Sequence, residues 1–134
     1  MTAELEGARI LVVEDEFLVA MLLEEMLEAA GCVVAGPIPR IADALAAVYR
    51  ETYDAAVLDI NLAGERIDPV ADALSQRNIP FMFVTGYSAA AVPGGFTEHP
   101  RLCKPFKMAD LLSTLMDLMH PASRRRDGRA SNCE

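Results

Sequence analysis

Apolar residues along the chain fall into short runs that alternate with helical patterns. Arg9–Val13 (Arg-Ile-Leu-Val-Val) is the first run and reads as a strand. From Phe17 the period changes, and Leu18, Met21, Leu22, Met26 and Leu27 predict a helix core face, with Glu24, Glu25 and Glu28 turned away. Gly31 is its expected stop. Cys32–Ala35 is a second short strand, closed by Gly36-Pro37. A helix over Ile41–Tyr49 follows, with Ile41, Ala44, Leu45 and Val48 on one face. Ala55–Leu58 is four apolar residues long, too short for a helix, and reads as a strand buried on both faces. A helix is expected over Pro69–Gln76, with Pro69 suited to its first position. Phe81–Val84 and Leu102-Cys103 supply two more strands, and Met108–Met119 a last helix with Leu111, Leu112, Leu115, Met116 and Met119 inward. Ser88–His99, broken by Pro93, Gly94 and Gly95, is expected to hold one or two helical turns at most. This alternation implies a parallel sheet covered on both faces.

Chemistry-bearing residues sit where these strands end. Glu14-Asp15-Glu16 follows the first, Asp59 the third, Thr85 the fourth and Lys104 the fifth. In a parallel sheet all carboxyl ends point one way, and open α/β folds bind ligands there. A lone strand-end acid is more often a solvated loop residue. Four matched ends carrying acids, a hydroxyl and a Lys-Pro are much harder to obtain by accident. Three adjacent carboxylates repel unless a cation neutralises them. Asp59 is read as a candidate nucleophile that accepts a phosphoryl group, a role open to a carboxylate. Glu16 is read as a helix-start residue. His99 and His120, beside prolines, are read as solvent-exposed.

Composition narrows the class. A chain of 134 residues that is 52% hydrophobic fits one folded core. The net charge of −8 disfavours nucleic acid as a partner. Arg124, Arg125, Arg126 and Arg129 sit in a segment without apolar periodicity, so the expected layout is a domain over residues 1–120 and a flexible Arg-rich tail over 121–134. Cys32, Cys103 and Cys133 lack metal-ligand spacing, which suggests reduced thiols and a cytoplasmic setting. No apolar stretch reaches the roughly 20 residues of a membrane span, so no membrane association is expected.

The segments Val-Val-Glu-Asp-Glu (12–16), Val-Leu-Asp-Ile-Asn-Leu (57–62), Phe-Val-Thr-Gly-Tyr (83–87) and Lys-Pro-Phe (104–106) resemble the receiver domain of two-component response regulators over Arg9–Met119. The last two motifs resemble the FAT GUY subgroup, with Val84 in place of its Ala. The resemblance implies a flavodoxin-like (βα)5 fold, a three-layer sandwich with a parallel five-stranded sheet of order 2-1-3-4-5. It implies that Asp59 takes a phosphoryl group from a sensor histidine kinase or histidine phosphotransfer protein. Asp15, Asp59 and the Asn61 carbonyl would hold Mg²⁺, with Glu14 acting through water. Lys104 and Thr85 would contact phosphoryl oxygens. Pro105 would follow a cis bond, and Tyr87 and Asn61 would tune phosphoryl loss.

The match also departs from the family. Arg101 occupies the position where most receivers carry a switching aromatic residue, which fits the subgroup and places the usual threonine–aromatic switch in doubt. Ala63-Gly64 replaces the usual proline after the acceptor loop. Ser88–Pro100 is expected to order when Asp59 is modified. The expected protein is a single-domain response regulator, not a conventional enzyme, acting through a downstream protein target or as a phosphate sink, as a monomer or weak dimer. A pseudo-receiver working without phosphorylation is the alternative. A flavodoxin-like electron carrier is a poorer fit, because Glu14-Asp15-Glu16 would repel a flavin phosphate.

Overall fold

The computed structural model describes residues 5–62, 64–86, 94–96 and 98–120. Five strands form one parallel sheet: β1 (Arg9–Val13), β2 (Val33–Ile38), β3 (Ala55–Asp59), β4 (Phe81–Thr85) and β5 (Arg101–Cys103). Their spatial order is β2-β1-β3-β4-β5. Among the described residues the α-helices are α1 (Phe17–Ala29), α2 (Ile41–Arg50), α3 (Asp68–Gln76) and α4 (Met108–Met119). A two-residue antiparallel pair, Asn61–Leu62 with Glu65–Arg66, lies between β3 and α3.

The period-2 alternation of the strands separates two cores. Leu11, Val13, Ala56, Leu58, Phe81 and Phe83 face α2 and α3. Ile10, Val12, Ala55, Val57, Met82 and Val84 face α1 and α4. The central strands β3 and β4 are buried at every position, as strands covered on both faces must be. This is the expected three-layer α/β sandwich.

Several details differ from the sequence expectation. β2 does not stop at Gly36-Pro37 but runs through it to Ile38. It is an edge strand with a register irregularity opposite Leu11 and Val13, which is where proline is tolerated in a sheet. Gly36 makes the bend at φ +103°, a conformation unfavourable for residues with a Cβ.

The face that α1 buries is also rotated. Leu23 and Leu27 are fully buried, with Val19 and Met26 packed beside them, while Leu18 and Met21 are exposed at 74% and 40%. On α4, Thr114 and Leu118 join the expected Leu111 and Leu115, and the Thr114 hydroxyl donates to the Asp110 carbonyl at 2.7 Å.

His99 is not a solvent-exposed loop residue. Its ring stacks on Phe81 at 4.2 Å and meets Phe83 and Phe96 edge-on, which extends the α2/α3-side core over the sheet's far end. His120 is exposed, as expected. Cys32 is a buried free thiol, but Cys103 is disulfide-bonded rather than reduced.

Gly94–Phe96 forms a single 3-10 turn. The remaining expectations for Tyr87–Pro93, and those for the 121–134 tail, lie outside the described residues. Among the described residues no helix is long and apolar enough to cross a membrane.

Candidate phosphoacceptor site

Sheet register assembles the site. Val13 pairs with Leu58, so Glu14 and Asp59 emerge side by side from β1 and β3. Asp59 pairs with Val84 and Thr85 with Cys103, which brings Lys104 to the same edge. The Lys104 N–H donates to the Thr85 carbonyl at 2.8 Å, and the Glu14 N–H to the Ile38 carbonyl at 3.0 Å. These bonds extend the ladders one residue past the strands and fix the backbone of both side chains. The Lys104–Pro105 bond is cis.

Glu14, Asp59 and Thr85 are buried, while Asp15 and Glu16 are exposed. Carboxylate oxygens of Glu14, Asp15 and Asp59 lie within 4.8 Å of one another. An all-oxygen, multiply anionic cluster suits a hard divalent cation. The Glu14 Oε1 atom is buried and accepts no hydrogen bond, although the Lys104 ammonium lies 3.3 Å from it. The Asn61 backbone follows directly on this edge, but its side chain lies outside the described residues.

Lys104 is the cation of the site. Its Nζ lies 3.3 Å from Glu14 Oε1, 3.3 Å from Glu16 Oε1 and 3.6 Å from Asp59 Oδ2. It donates to Glu14 Oε2 at 3.4 Å and to Glu16 Oε1. Partial burial pulls the Lys104 pKa down. The charges of Asp59 and Glu14, with hydrogen bonds to Glu16 and Glu14, more than offset that and leave it above the ordinary lysine value. The side chain is therefore a firm ammonium at neutral pH.

The residues singled out from strand-end position, Glu14, Asp15, Asp59, Thr85 and Lys104, thus share one edge of the sheet. Glu16 was missed as a member of the site. It follows two other acids at the first helical turn, and nothing in the one-dimensional pattern shows that it turns toward β5.

An acid cluster, a hydroxyl and a lysine at the carboxyl edge of a 2-1-3-4-5 parallel sheet form the layout of a signalling receiver domain. The chain belongs to the response regulator receiver domain family, which matches residues 10–116. It is 31% identical over 127 residues to the phyllosphere-induced regulator PhyR of Methylorubrum extorquens. That match takes in 90% of this chain but spans about half (48%) of the relative's length. Among solved structures it is similar to SdrG of Sphingomonas melonis Fr1, at 44% identity and a TM-score of 0.73, covering 86% of this chain and 99% of that one. SdrG has also been solved in a BeF3-activated conformation, where the identity is 43%, the TM-score 0.72 and the coverage 85% and 98%. The receiver domain of the sensor histidine kinase PA1611 of Pseudomonas aeruginosa PAO1 is 26% identical, with a TM-score of 0.70 and coverage of 84% and 98%. That structure holds a magnesium ion in its active-site cleft.

Proposed function

We propose that this chain is a response regulator receiver whose Asp59 accepts a phosphoryl group from a sensor histidine kinase or histidine phosphotransfer protein. The observation that carries the reading is the grouping of Glu14, Asp15 and Asp59 oxygens within 4.8 Å beside the Lys104 ammonium. An Asp59 carboxylate oxygen forms the new O–P bond while the donor's N–P bond breaks. The electron pair of the broken bond returns to the donor imidazole nitrogen. Little covalent chemistry is asked of the protein, and catalysis is mostly positioning and charge neutralisation.

Asp15, Asp59 and the Asn61 carbonyl would hold Mg²⁺, with Glu14 acting through water. The ion supplies neutralisation of charge on the transferring oxygens. Lys104 contributes a point charge to one phosphoryl oxygen and Thr85 a hydroxyl donor to another. In this reading the receiver domain spans residues 1–120, and the Arg-rich segment 121–134 follows it. It works as a monomer or weak dimer. Arg101 in place of a switching ring supports placement in the FAT GUY subgroup.

The donor docks beside the pocket. Phe17, Leu18, Met21 and Leu22 are exposed on α1. Phe17 and Met21, with Pro37 and Pro39, line a cavity of about 320 Å³ that also touches Glu14 and Asp15. An apolar face joined to the acceptor edge suits a helical donor that must bring its histidine to Asp59.

Intact mass after incubation with acetyl phosphate tests the reading. The wild type should gain one phosphoryl group in Mg²⁺ and none in EDTA, and Asp59→Ala should gain none in either. Absence of both phosphorylation and Mg²⁺ binding in the wild type would leave an interaction module that works without phosphorylation.

A further inference from the structure

Glu16 takes no part in the established ingredients of a receiver site, yet the structure points it there. It occupies the N-cap of α1 but makes no side-chain cap hydrogen bond. Its carboxylate instead reaches across to β5 and accepts from Lys104 Nζ at 3.3 Å, nearer than the 3.6 Å between that ammonium and Asp59 Oδ2. Its backbone N–H meanwhile donates to Glu14 Oε2 at 3.0 Å. The other two lysine partners are committed elsewhere: Glu14 and Asp59 belong, with Asp15, to the cluster suited to a cation, and Glu16 does not. A cation in that cluster would draw on Glu14 and Asp59 and leave Glu16 as the lysine's partner.

We propose that Glu16 is a positioning residue that holds the Lys104 ammonium in the resting site and competes with the incoming phosphoryl group for it. This rests on the reading of Asp59 as the phosphoacceptor and names a control on that same site. A phosphoryl group on Asp59 places new negative charge where the ammonium must go. Lys104 then gives up Glu16, whose side chain is 61% exposed and can turn into solvent. Glu16 therefore opposes the phosphorylated state by the value of one exposed ion pair, and it does so through Lys104.

The test is a backbone-amide NMR titration with beryllofluoride in excess Mg²⁺, following Thr85 and Gly86. Glu16→Gln keeps the shape and removes the charge. It should bind the analogue about two- to five-fold more tightly than wild type, the range for release of one exposed ion pair. The gain should shrink in 0.5 M salt. With Lys104→Gln already present, Glu16→Gln should change the affinity no further, an outcome that a general structural role would not produce. Glu16→Asp, which keeps the charge but withdraws it by one methylene, should fall between wild type and Glu16→Gln. It keeps the test decisive if Lys104→Gln binds too weakly to titrate. No gain in Glu16→Gln, or the same gain without Lys104, overturns the inference while the acceptor reading stands. A wild type that binds no beryllofluoride and takes no phosphoryl group from acetyl phosphate overturns both.

Discussion

Replacing Asp59 with asparagine changes the charge of the proposed acceptor at nearly constant shape, and the contacts within the acid cluster give the expected sign of the effect. Without a bound cation, Asp59 faces Glu14 and Asp15 with oxygens inside 4.8 Å. At an effective dielectric constant of ~20, each such pair of unit charges repels by about 3.5 kcal/mol. Lys104 at 3.6 Å returns about 4.6 kcal/mol of attraction on the same footing. Over these contacts repulsion exceeds attraction by roughly 2 kcal/mol, and the exposure of Asp15 screens this to about 1 kcal/mol. Dehydration of the Asp59 carboxylate, which is 6% exposed, acts in the same direction. Asp59→Asn should therefore be more stable than wild type in EDTA by about 1–3 kcal/mol, or on the order of 4–10 °C in Tm for a domain of this size. Saturating cation reverses the comparison. At 100 times its Kd, Mg²⁺ stabilises the wild type by about 2.7 kcal/mol, most of which a variant lacking a carboxylate ligand forgoes. Thermal melts followed by far-UV circular dichroism, in EDTA and in Mg²⁺, read both effects. A variant that melts below wild type in EDTA would refute the electrostatic argument, and equal Mg²⁺ shifts in the two proteins would refute the ligand assignment.

Three further outcomes follow from packing. Leu27→Ala, in the fully buried face of α1, should cost about 2–5 kcal/mol in urea unfolding, whereas Leu18→Ala, 74% exposed, should stay within about 0.5 kcal/mol. Gly36→Ala should destabilise by more than about 1 kcal/mol in the same assay, because φ is +103° and a Cβ would lie 2.7 Å from the Val12 carbonyl oxygen. The Cys32 thiol, its pKa raised first by burial and then by Asp54, should resist alkylation at pH 8 until the chain unfolds. Its folded pKa lies above the unfolded one, so its contribution to stability is complete below the unfolded pKa and is lost as pH rises toward the folded value.

The strands were legible because β1, β3 and β4 lie inside the sheet, and burial on both faces leaves a continuous apolar signature. Convergence of Glu14, Asp59, Thr85 and Lys104 followed from strand direction alone. Residues 17–23, Phe-Leu-Val-Ala-Met-Leu-Leu, are apolar without a break. A run of that kind carries no phase, so the buried face of α1 was assigned about one residue out of register. The extra apolar side chains lie outside both cores, next to the acceptor edge. Gly36-Pro37 reads as a terminator in one dimension, but an edge strand can absorb it as a bend. His99 beside Pro100 reads as a loop residue, and only the fold brings the ring of Phe81 beneath it. Glu16 was hidden for the same reason, since its partner is 88 residues away.

The charges of the pocket also order its events. Glu14, Glu16 and Asp59 gather around the Lys104 ammonium, with Asp15 beside Glu14 and Asp59. A phosphoryl donor approaching that edge brings further negative charge into a region already in anionic excess. Lys104 cannot offset it alone, because its hydrogen bonds go to Glu14 and Glu16. A divalent cation held by Asp15 and Asp59, with Glu14 acting through water, would offset part of the excess and weaken the hold of Glu14 and Asp59 on the lysine. The Glu16 contact would then remain between Lys104 and a phosphoryl oxygen. Occupancy by the cation should therefore precede phosphoryl transfer. In the scheme proposed above, Glu16 would set how readily the lysine follows, which would place control of the phosphorylated state on an exposed side chain at the N-cap of α1 rather than on the proposed acceptor itself.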